Sequence, residues 1–150
     1  VRQAVRAWKR IDERNVREAI RRLYRAKLVA CTENDDGTVS LVLADGGKRR
    51  LLRYKLDALV IQKPSRWDGQ WRMVAFDIPE RHKRARTALS AKLKELGFYP
   101  LQKSVFVHPY DCKDEIDFVI ELFGVRPFVR YIVVREIDTA LDLKKRFGLR

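Results

Sequence analysis

Asp77 is the residue of this chain with the clearest capacity for chemistry, because it ends the apolar segment Trp71–Phe76 in the stretch WRMVAFDIPE. One carboxylate alone does not hold the Mg²⁺ that phosphodiester hydrolysis requires, but two carboxylates brought together could share it. A symmetric dimer would supply the second copy of Asp77. The alternative is structural: Asp77 caps the following helix or pairs with Arg81 or Arg84 in its first turn, and spacing alone favours this role.

Arginine recurs along residues 14–25 at the spacing of one face of a helix, with an apolar face opposite. Like charges four residues apart destabilise an isolated helix by about 0.2–0.5 kcal/mol per pair. The stripe therefore favours a polyanionic partner, although a basic helix that is merely well solvated has the same composition. A helix that enters the major groove uses arginine to contact guanine edges or phosphates.

A second basic run, KRR, follows a predicted β-hairpin, and we interpret it as a contact to the flanking DNA backbone. Taken alone, such a run is also typical of a solvated turn. The DNA-contact candidates are accordingly Arg14, Asn15, Arg17, Arg21, Arg25, Lys48, Arg49 and Arg50.

The composition is strongly basic, with 33 lysines and arginines against 20 acidic residues and a net charge of +13. A surplus of this size attracts polyanions such as nucleic acid. The two cysteines lie far apart in the sequence, which indicates reduced thiols rather than a disulfide framework. Together with the two histidines they do not have the spacing of zinc ligands. No apolar run is long enough to cross a bilayer. We expect no signal peptide, a cytoplasmic location and no membrane partner. We also expect no required cofactor, since Mg²⁺ would be needed only if the protein were a nuclease.

The first half, residues 1–60, is predicted to be a winged-helix DNA-binding domain. The patterns predict helices over Val1–Ile11 and over residues 15–27, then a hairpin closed by a two-residue turn at Asp36-Gly37, then a helix over residues 46–59. The hairpin would be the wing. The chain starts in helical periodicity, so we expect the first helix of a winged helix to be missing. Residues 61–70, with proline, serine and Asp-Gly, are predicted to be a linker.

The second half, residues 71–150, reads strand, helix, strand, strand, helix, strand and then a short helix. That order predicts an α+β fold of the ferredoxin-like βαββαβ type. Right-handed crossovers place both long helices on one side of the sheet. Met73 and Ala75 would then lie on the uncovered side. The last strand has apolar residues on both of its faces. We predict a homodimer whose interface contains Met73, Ala75, Tyr131 and Val133.

The stretches WDGQWRMVAFDIPE, LKELGFYPLQKSVFVHPY and RRLYRAKLV resemble the PaaX-type family of bacterial transcriptional repressors, over essentially the whole chain. The second half is also similar to the small CRISPR adaptation endonuclease. The resemblance implies a cytoplasmic, dimeric protein that binds double-stranded DNA, with an N-terminal winged helix and a ferredoxin-like domain. It also places Asp77 at the position of that endonuclease family's metal-binding aspartate. Because the repressors keep this aspartate, its presence does not discriminate between the two activities.

Three functions follow from the sequence. The first is a sequence-specific transcriptional regulator, a repressor in the PaaX manner, that dimerises through its ferredoxin-like domain. The second is a Mg²⁺-dependent, CRISPR-associated endonuclease or adaptation subunit with paired Asp77 as its catalytic and metal-binding residue. The third is a non-catalytic interaction adaptor. The residues do not indicate a small-molecule effector, a target sequence or the direction of regulation.

Overall fold

The computed structural model describes residues 13–149, and of residues 13–17, 33 and 39 it describes the backbone alone. The helix predicted over Val1–Ile11 lies outside the described residues. The described part of the chain is α+β, with a two-stranded and a four-stranded sheet, both antiparallel. The chain divides into two compact units between Asp57 and Ala58.

The first unit contains a helix, a β-hairpin and a second helix. Its elements are α1 (Glu13–Arg25), β1 (Val29–Glu33), β2 (Val39–Leu43) and α2 (Asp45–Asp57). The predicted helices over residues 15–27 and 46–59 and the hairpin between them are therefore present, with boundaries shifted by one or two residues. The α1–β1 connection turns through Lys27, whose φ of 55° is left-handed. This part of the chain has the order expected after the first helix of a winged helix.

The hairpin loop is longer than the predicted two-residue turn. Asn34 and Thr38 close it, with the Asn34 N–H donating to the Thr38 carbonyl at 2.8 Å, so three residues lie between them. The Asp36 carboxylate accepts from the Thr38 N–H at 2.9 Å, and Gly37 has a φ of 79°. The predicted turn was wrong because these bonds favour the three-residue loop, in which a glycine with positive φ follows a tight turn.

The start of α2 lies directly against the α1–β1 connection. A Cβ added at Gly47 would lie 2.0 Å from the Leu28 carbonyl oxygen, and one added at Gly46 would lie 2.8 Å from that of Lys27. Only a residue without a side chain permits backbones to approach this closely. The GG of the sequence thus positions the basic residues that follow it.

The second unit has the predicted βαββαβ order. Its elements are β3 (Trp71–Phe76), α3 (Lys83–Glu95), β4 (Tyr99–Gln102), β5 (Val105–His108), α4 (Lys113–Phe123), β6 (Val129–Val134) and α5 (Ala140–Phe147), with 3-10 turns at Glu80–His82 and Arg126–Phe128. The spatial strand order is β4-β5-β3-β6, with every neighbouring pair antiparallel. This is the ferredoxin-like arrangement that the sequence predicts for this half.

The main core of this unit lies between the sheet and the two long helices. Val74 of β3 and Leu89 and Leu93 of α3 are completely buried, as are two residues of α4, Ile116 and Val119. These positions recur at helical spacing in the helices and at alternate positions in the strand, which is the pattern that predicted the elements. The hydrophobic side chains of one sheet face and of two helix stripes therefore form a single interior.

The opposite face of the sheet is covered in part by α5. Leu143 of α5 is 2 % exposed and forms a buried cluster with Trp71 and Val107 of the sheet. Met73 packs against this cluster, as does Trp67 from the segment predicted to be a linker. In the sequence argument, a second copy packed face to face was the simplest candidate to cover these residues. The short terminal helix provides that cover within the same chain.

The strand register corrects one part of the predicted dimer interface. Tyr131 lies opposite Val74, and Val133 lies opposite Arg72. Residues opposite each other on antiparallel strands share a face, so Tyr131 and Val133 do not share the face of Met73 and Ala75. Their assignment to one surface with Met73 and Ala75 was wrong, because alternation within β6 does not reveal which parity faces the helices.

Candidate nucleic-acid interface

The exposed face of α1 carries two arginines one turn apart. Arg21 and Arg25 are both exposed, and among the residues that the structure describes neither has a carboxylate within ion-pair distance. Four-residue spacing places both guanidinium groups on one side of the helix. Arg14, Asn15 and Arg17 belong to the same helix, but their side chains lie outside the described residues. Arg21 and Arg25 thus present two positive charges to solvent, and no described carboxylate pairs with either.

An apolar groove runs beside these arginines. It has a volume of about 260 Å³ and is lined by Ile20, Tyr24 and Cys31 as well as by Arg21 and Arg25. Tyr24 is 57 % exposed, so its ring stands at the edge of the charged face rather than in the core. A tyrosine ring beside arginines provides apolar contact to a sugar or a thymine methyl group, while the guanidinium groups contact phosphates or guanine.

The second basic run lies in the first two turns of α2. Lys48, Arg49 and Arg50 are all exposed. Lys48 Nζ is 3.8 Å from an Asp45 carboxylate oxygen, and both side chains are largely in solvent. An ion pair of this kind contributes little stability, so it does not hold Lys48 back from another anion. The run belongs to a helix rather than to a solvated turn, which fixes its spacing.

Asp77 lies at the end of β3, where its backbone N–H donates to the Phe128 carbonyl at 3.0 Å. Its carboxylate is exposed in an open groove of about 520 Å³ that Ser104 and Arg130 also line. The Arg130 guanidinium donates to the carbonyls of Pro127 and Val129 at 3.1 and 2.9 Å, along its own backbone.

The structural roles expected for Asp77 do not appear among the described side chains. The turn after it is capped by Pro79 without a side-chain hydrogen bond, and α3 has His82 as its N-cap. Neither Arg81 nor Arg84 forms an ion pair with Asp77. The carboxylate is therefore available to solvent.

The described residues that line the groove with Asp77 include no second carboxylate. Among the side chains that the structure describes, no group of three or more histidine, cysteine or acidic residues is placed to hold a metal ion. Mg²⁺ is usually bound through one or two carboxylates plus substrate phosphates and waters. Asp77 is the one carboxylate among the described residues that line this groove, and the second carboxylate of such a set would come from another copy of Asp77.

A largely buried ion pair at the start of β3 was missed by the sequence analysis. The Arg72 guanidinium is 8 % exposed and donates to both carboxylate oxygens of Asp68 at 2.7 and 2.6 Å. It also donates to the carbonyls of Gln70 and Pro109 at 2.9 and 3.0 Å. Trp67 Nε1 donates to the same two carbonyls. The hydrogen bonds of Trp67 and Arg72 thus hold the segment before β3 against Pro109, which follows β5.

We predict that Asp68→Asn lowers the free energy of unfolding by about 1–2 kcal/mol at neutral pH, because the bidentate bond is lost while the half-exposed carboxylate is already screened by solvent. The Arg72 guanidinium lowers the pKa of Asp68. The stabilisation that the ionised Asp68 carboxylate contributes is therefore complete above its pKa in the unfolded chain, about 3.9. It is lost as the pH falls through the lower pKa of the folded state. Urea unfolding at pH 7 and at pH 3 measures both effects.

The matched control for this prediction is Asp138→Asn, which removes an exposed carboxylate in the same unit. It is expected to change the free energy of unfolding by less than about 0.5 kcal/mol at either pH. A deficit of Asp68→Asn that is as large at pH 3 as at pH 7 would contradict the proposed role of the ionised carboxylate.

Among the described helices, none combines the length and apolar character needed to cross a membrane.

Comparison with known protein families gives a match for the second half of the chain. The family model described as the PaaX protein central Cas2-like domain matches residues 64–145, which is more than half of the 150 residues. The search of curated proteins found no match. The family resemblance seen in the sequence is thereby confirmed.

Proposed function

The chain belongs to the PaaX family through its central Cas2-like domain, and from that membership we propose that it is a sequence-specific, DNA-binding transcriptional repressor. The single observation that carries the proposal is the exposed pair Arg21 and Arg25 on α1, which have no carboxylate partner among the described residues. Holding like charges together on a helix costs stability. A polyanionic partner offsets that cost.

In this proposal residues 1–60 form a winged helix in the cytoplasm. Its wing is the β1–β2 hairpin, and α1 is the helix that enters the major groove. Arg14, Asn15, Arg17, Arg21 and Arg25 are its reading residues. Lys48, Arg49 and Arg50 contact phosphates, since a helix start fixed against the α1–β1 connection by Gly47 presents them in a defined position. Two copies joined through the ferredoxin-like domain, residues 71–150, bind a near-palindromic site.

Selection from a random library of DNA duplexes tests this proposal. We expect enrichment of two inverted half-sites whose centres are one helical turn apart, about 10–10.5 base pairs, or a multiple of it. Binding to the selected duplex should exceed binding to a scrambled duplex by about 10³-fold or more. Failure to enrich any duplex would overturn the proposal and would favour the adaptor, which has no nucleic-acid site.

A Mg²⁺-dependent nuclease is the second candidate, because Asp77 is exposed. In the described part of the chain it neither caps a helix nor forms an ion pair with a basic side chain. A dimer would have to bring two copies of Asp77 together to hold the ion. The repressor proposal needs no resident metal and no other cofactor, and it gives Asp77 no catalytic role.

We predict that Asp77→Asn leaves duplex affinity within about twofold of wild type and the free energy of unfolding within about 0.5 kcal/mol, because the exposed carboxylate stabilises no other described side chain. Neither protein should cut plasmid DNA or RNA in the presence of Mg²⁺. The measurement compares wild type and variant with Mg²⁺ and with a chelator. Cleavage by wild type that disappears in Asp77→Asn would establish the nuclease instead.

A further inference from the structure

A buried histidine belongs to the surface on which α5 packs. His108 is the last residue of β5 and is 7 % exposed. Its ring centroid lies 6.0 Å from that of Phe147, the last residue of α5, and 5.0 Å from that of Phe98, which precedes β4. Phe147 in turn lies 6.1 Å from Trp71 of the covered sheet face. These separations are typical of aromatic contacts, so the imidazole ring helps to hold the end of α5.

One hydrogen bond of this ring depends on a neutral imidazole. His108 Nδ1 accepts from the Tyr110 backbone N–H at 3.2 Å. An imidazolium carries a proton on both nitrogens and cannot accept that bond. The Tyr110 carbonyl oxygen lies 3.3 Å from the same nitrogen, so a protonated Nδ1 would donate to it instead. Protonation of His108 therefore changes its hydrogen-bond partner in the segment that follows β5.

The surroundings of the ring disfavour a positive charge on it. Arg72 lies opposite His108 across the β3–β5 ladder, and opposed residues share a face. Burial lowers the pKa of His108, and the charge of Arg72 adds to this effect, against the opposing effect of the hydrogen bond with Tyr110. Tyr110 is the other ionisable side chain in contact, with its ring centroid 5.5 Å away. Phe98 and Phe147, the contacts from β4 and α5, carry no charge.

α5 is a short helix that depends on the rings beneath it. It has eight residues, and isolated helices of that length are marginal in water. Lys144 lies over Trp67, 5.5 Å from its ring centroid, and Arg146 lies over Tyr99 at 4.1 Å. Neither cation of α5 is therefore placed over His108, which contacts the apolar end of the helix. A change at His108 thus acts on α5 through packing.

We propose that protonation of His108 releases α5 from the sheet, so that acid opens the apolar face that α5 covers. A buried imidazolium beside a guanidinium is unfavourable, and release of α5 gives the ring access to water. The proton comes from solvent, and no other group has to react. The inference goes beyond the proposed function and does not depend on it, because it concerns the second unit alone.

The direction of the pH dependence follows from the lowered pKa of His108 in the folded chain. The stabilisation that the neutral ring contributes is complete above its pKa in the unfolded chain, about 6.5. It is lost as the pH falls through the lower pKa of the folded state. Carboxylates have ordinary pKa values of about 3.9–4.3 and stay largely ionised at pH 5.5. Loss of α5 between pH 7.5 and 5.5 is therefore separate from the loss of the Asp68 ion pair.

Amide hydrogen exchange of residues 140–147 in the full chain tests the inference. After correction for the intrinsic effect of pH on exchange, protection of these amides should be lower at pH 5.5 than at pH 7.5, by up to about tenfold. That limit applies because pH 5.5 lies about one unit below the unfolded pKa of histidine. His108→Gln, which stays neutral, should protect α5 equally at both pH values. A loss of less than about twofold in wild type, or the same loss in His108→Gln, overturns the inference.

The matched control is His82→Gln, which removes the other histidine of the chain. His82 is exposed and its ring lies 5.6 Å from Phe128, away from α5. This variant should keep the pH dependence of wild type. The amides of β3, residues 71–76, should stay protected at pH 5.5. Equal loss of protection in β3 and α5 would mean that the whole unit unfolds, and the inference would be wrong.

A titration by nuclear magnetic resonance decides the matter even if His108→Gln does not fold. In His82→Gln the ring protons of His108 are the only histidine signals of the chain. They should titrate with a midpoint below about 6.5, and protection of α5 should fall around the same midpoint. A midpoint of 6.5 or higher, or loss of α5 at a different pH, overturns the inference.

Discussion

Replacing Arg21 and Arg25 together with alanine is expected to weaken binding to the selected duplex by about 30-fold or more. Each arginine that contacts a base edge contributes about 1–3 kcal/mol to binding, so removing both costs at least about 2 kcal/mol. Where the arginines bind phosphates, the plot of log affinity against log salt also becomes shallower, by about 0.9 for each phosphate that is no longer neutralised. Fluorescence anisotropy with a labelled duplex at several salt concentrations measures both quantities.

The matched control removes the same charge from the second unit. Arg84 and Lys94 are exposed on α3, and neither has a carboxylate partner among the described residues. Arg84→Ala with Lys94→Ala is therefore expected to weaken binding by less than about threefold, since neither residue lies on the reading helix. Equal losses of affinity in the two double variants would mean that net charge alone attracts the DNA, and the assignment of α1 as the reading helix would be wrong.

Leu143→Ala is expected to lower the free energy of unfolding of the second unit by about 2–5 kcal/mol, because truncation removes buried apolar area and leaves a cavity. Leu143 is 2 % exposed and packs against Trp71 and Val107. Trp71, itself 1 % exposed, should gain access to water as α5 loosens. Urea unfolding monitored by tryptophan fluorescence measures the stability, and quenching by iodide measures the exposure.

Leu141→Ala provides the control within the same helix. Leucine and alanine have similar helix propensities, and Leu141 is 76 % exposed, so this change should alter stability by less than about 0.5 kcal/mol. If both leucine substitutions cost the same, α5 would not be the cover of the second sheet face, and a second copy packed on that face would again be needed to cover it.

Most of the second unit was predictable because its signals are local. The apolar run Trp71–Phe76, closed by a carboxylate and a proline, predicts β3, and apolar residues such as Leu89 and Leu93 at helical spacing predict α3. Gly124 ends α4 with a φ of 64°, as its place after the last apolar residue indicates. Once the elements are in the order βαββαβ, short connections and right-handed crossovers leave few arrangements, and the observed sheet is one of them.

The basic stripe of the candidate interface was also predictable because its signal is local in the sequence. The stripe that contains Arg21 and Arg25 follows from helical geometry alone, and the structure adds that both are exposed. The hairpin turn was misread because the two-residue turn and the three-residue loop both contain Asp36-Gly37, and the bonds from Thr38 to Asp36 decide between them.

The sequence by itself determined the element types, their order, the ferredoxin-like arrangement and the basic stripe of α1, because each depends on residues close together in the chain. Tertiary structure decided which parity of β6 faces the helices, that α5 covers Trp71, and that Arg72 is clamped by Asp68. Those features depend on strand register and on packing between distant segments. The free energy gained by burying a side chain depends on both of the surfaces that come into contact. The sequence of one strand or helix specifies only one of those two surfaces.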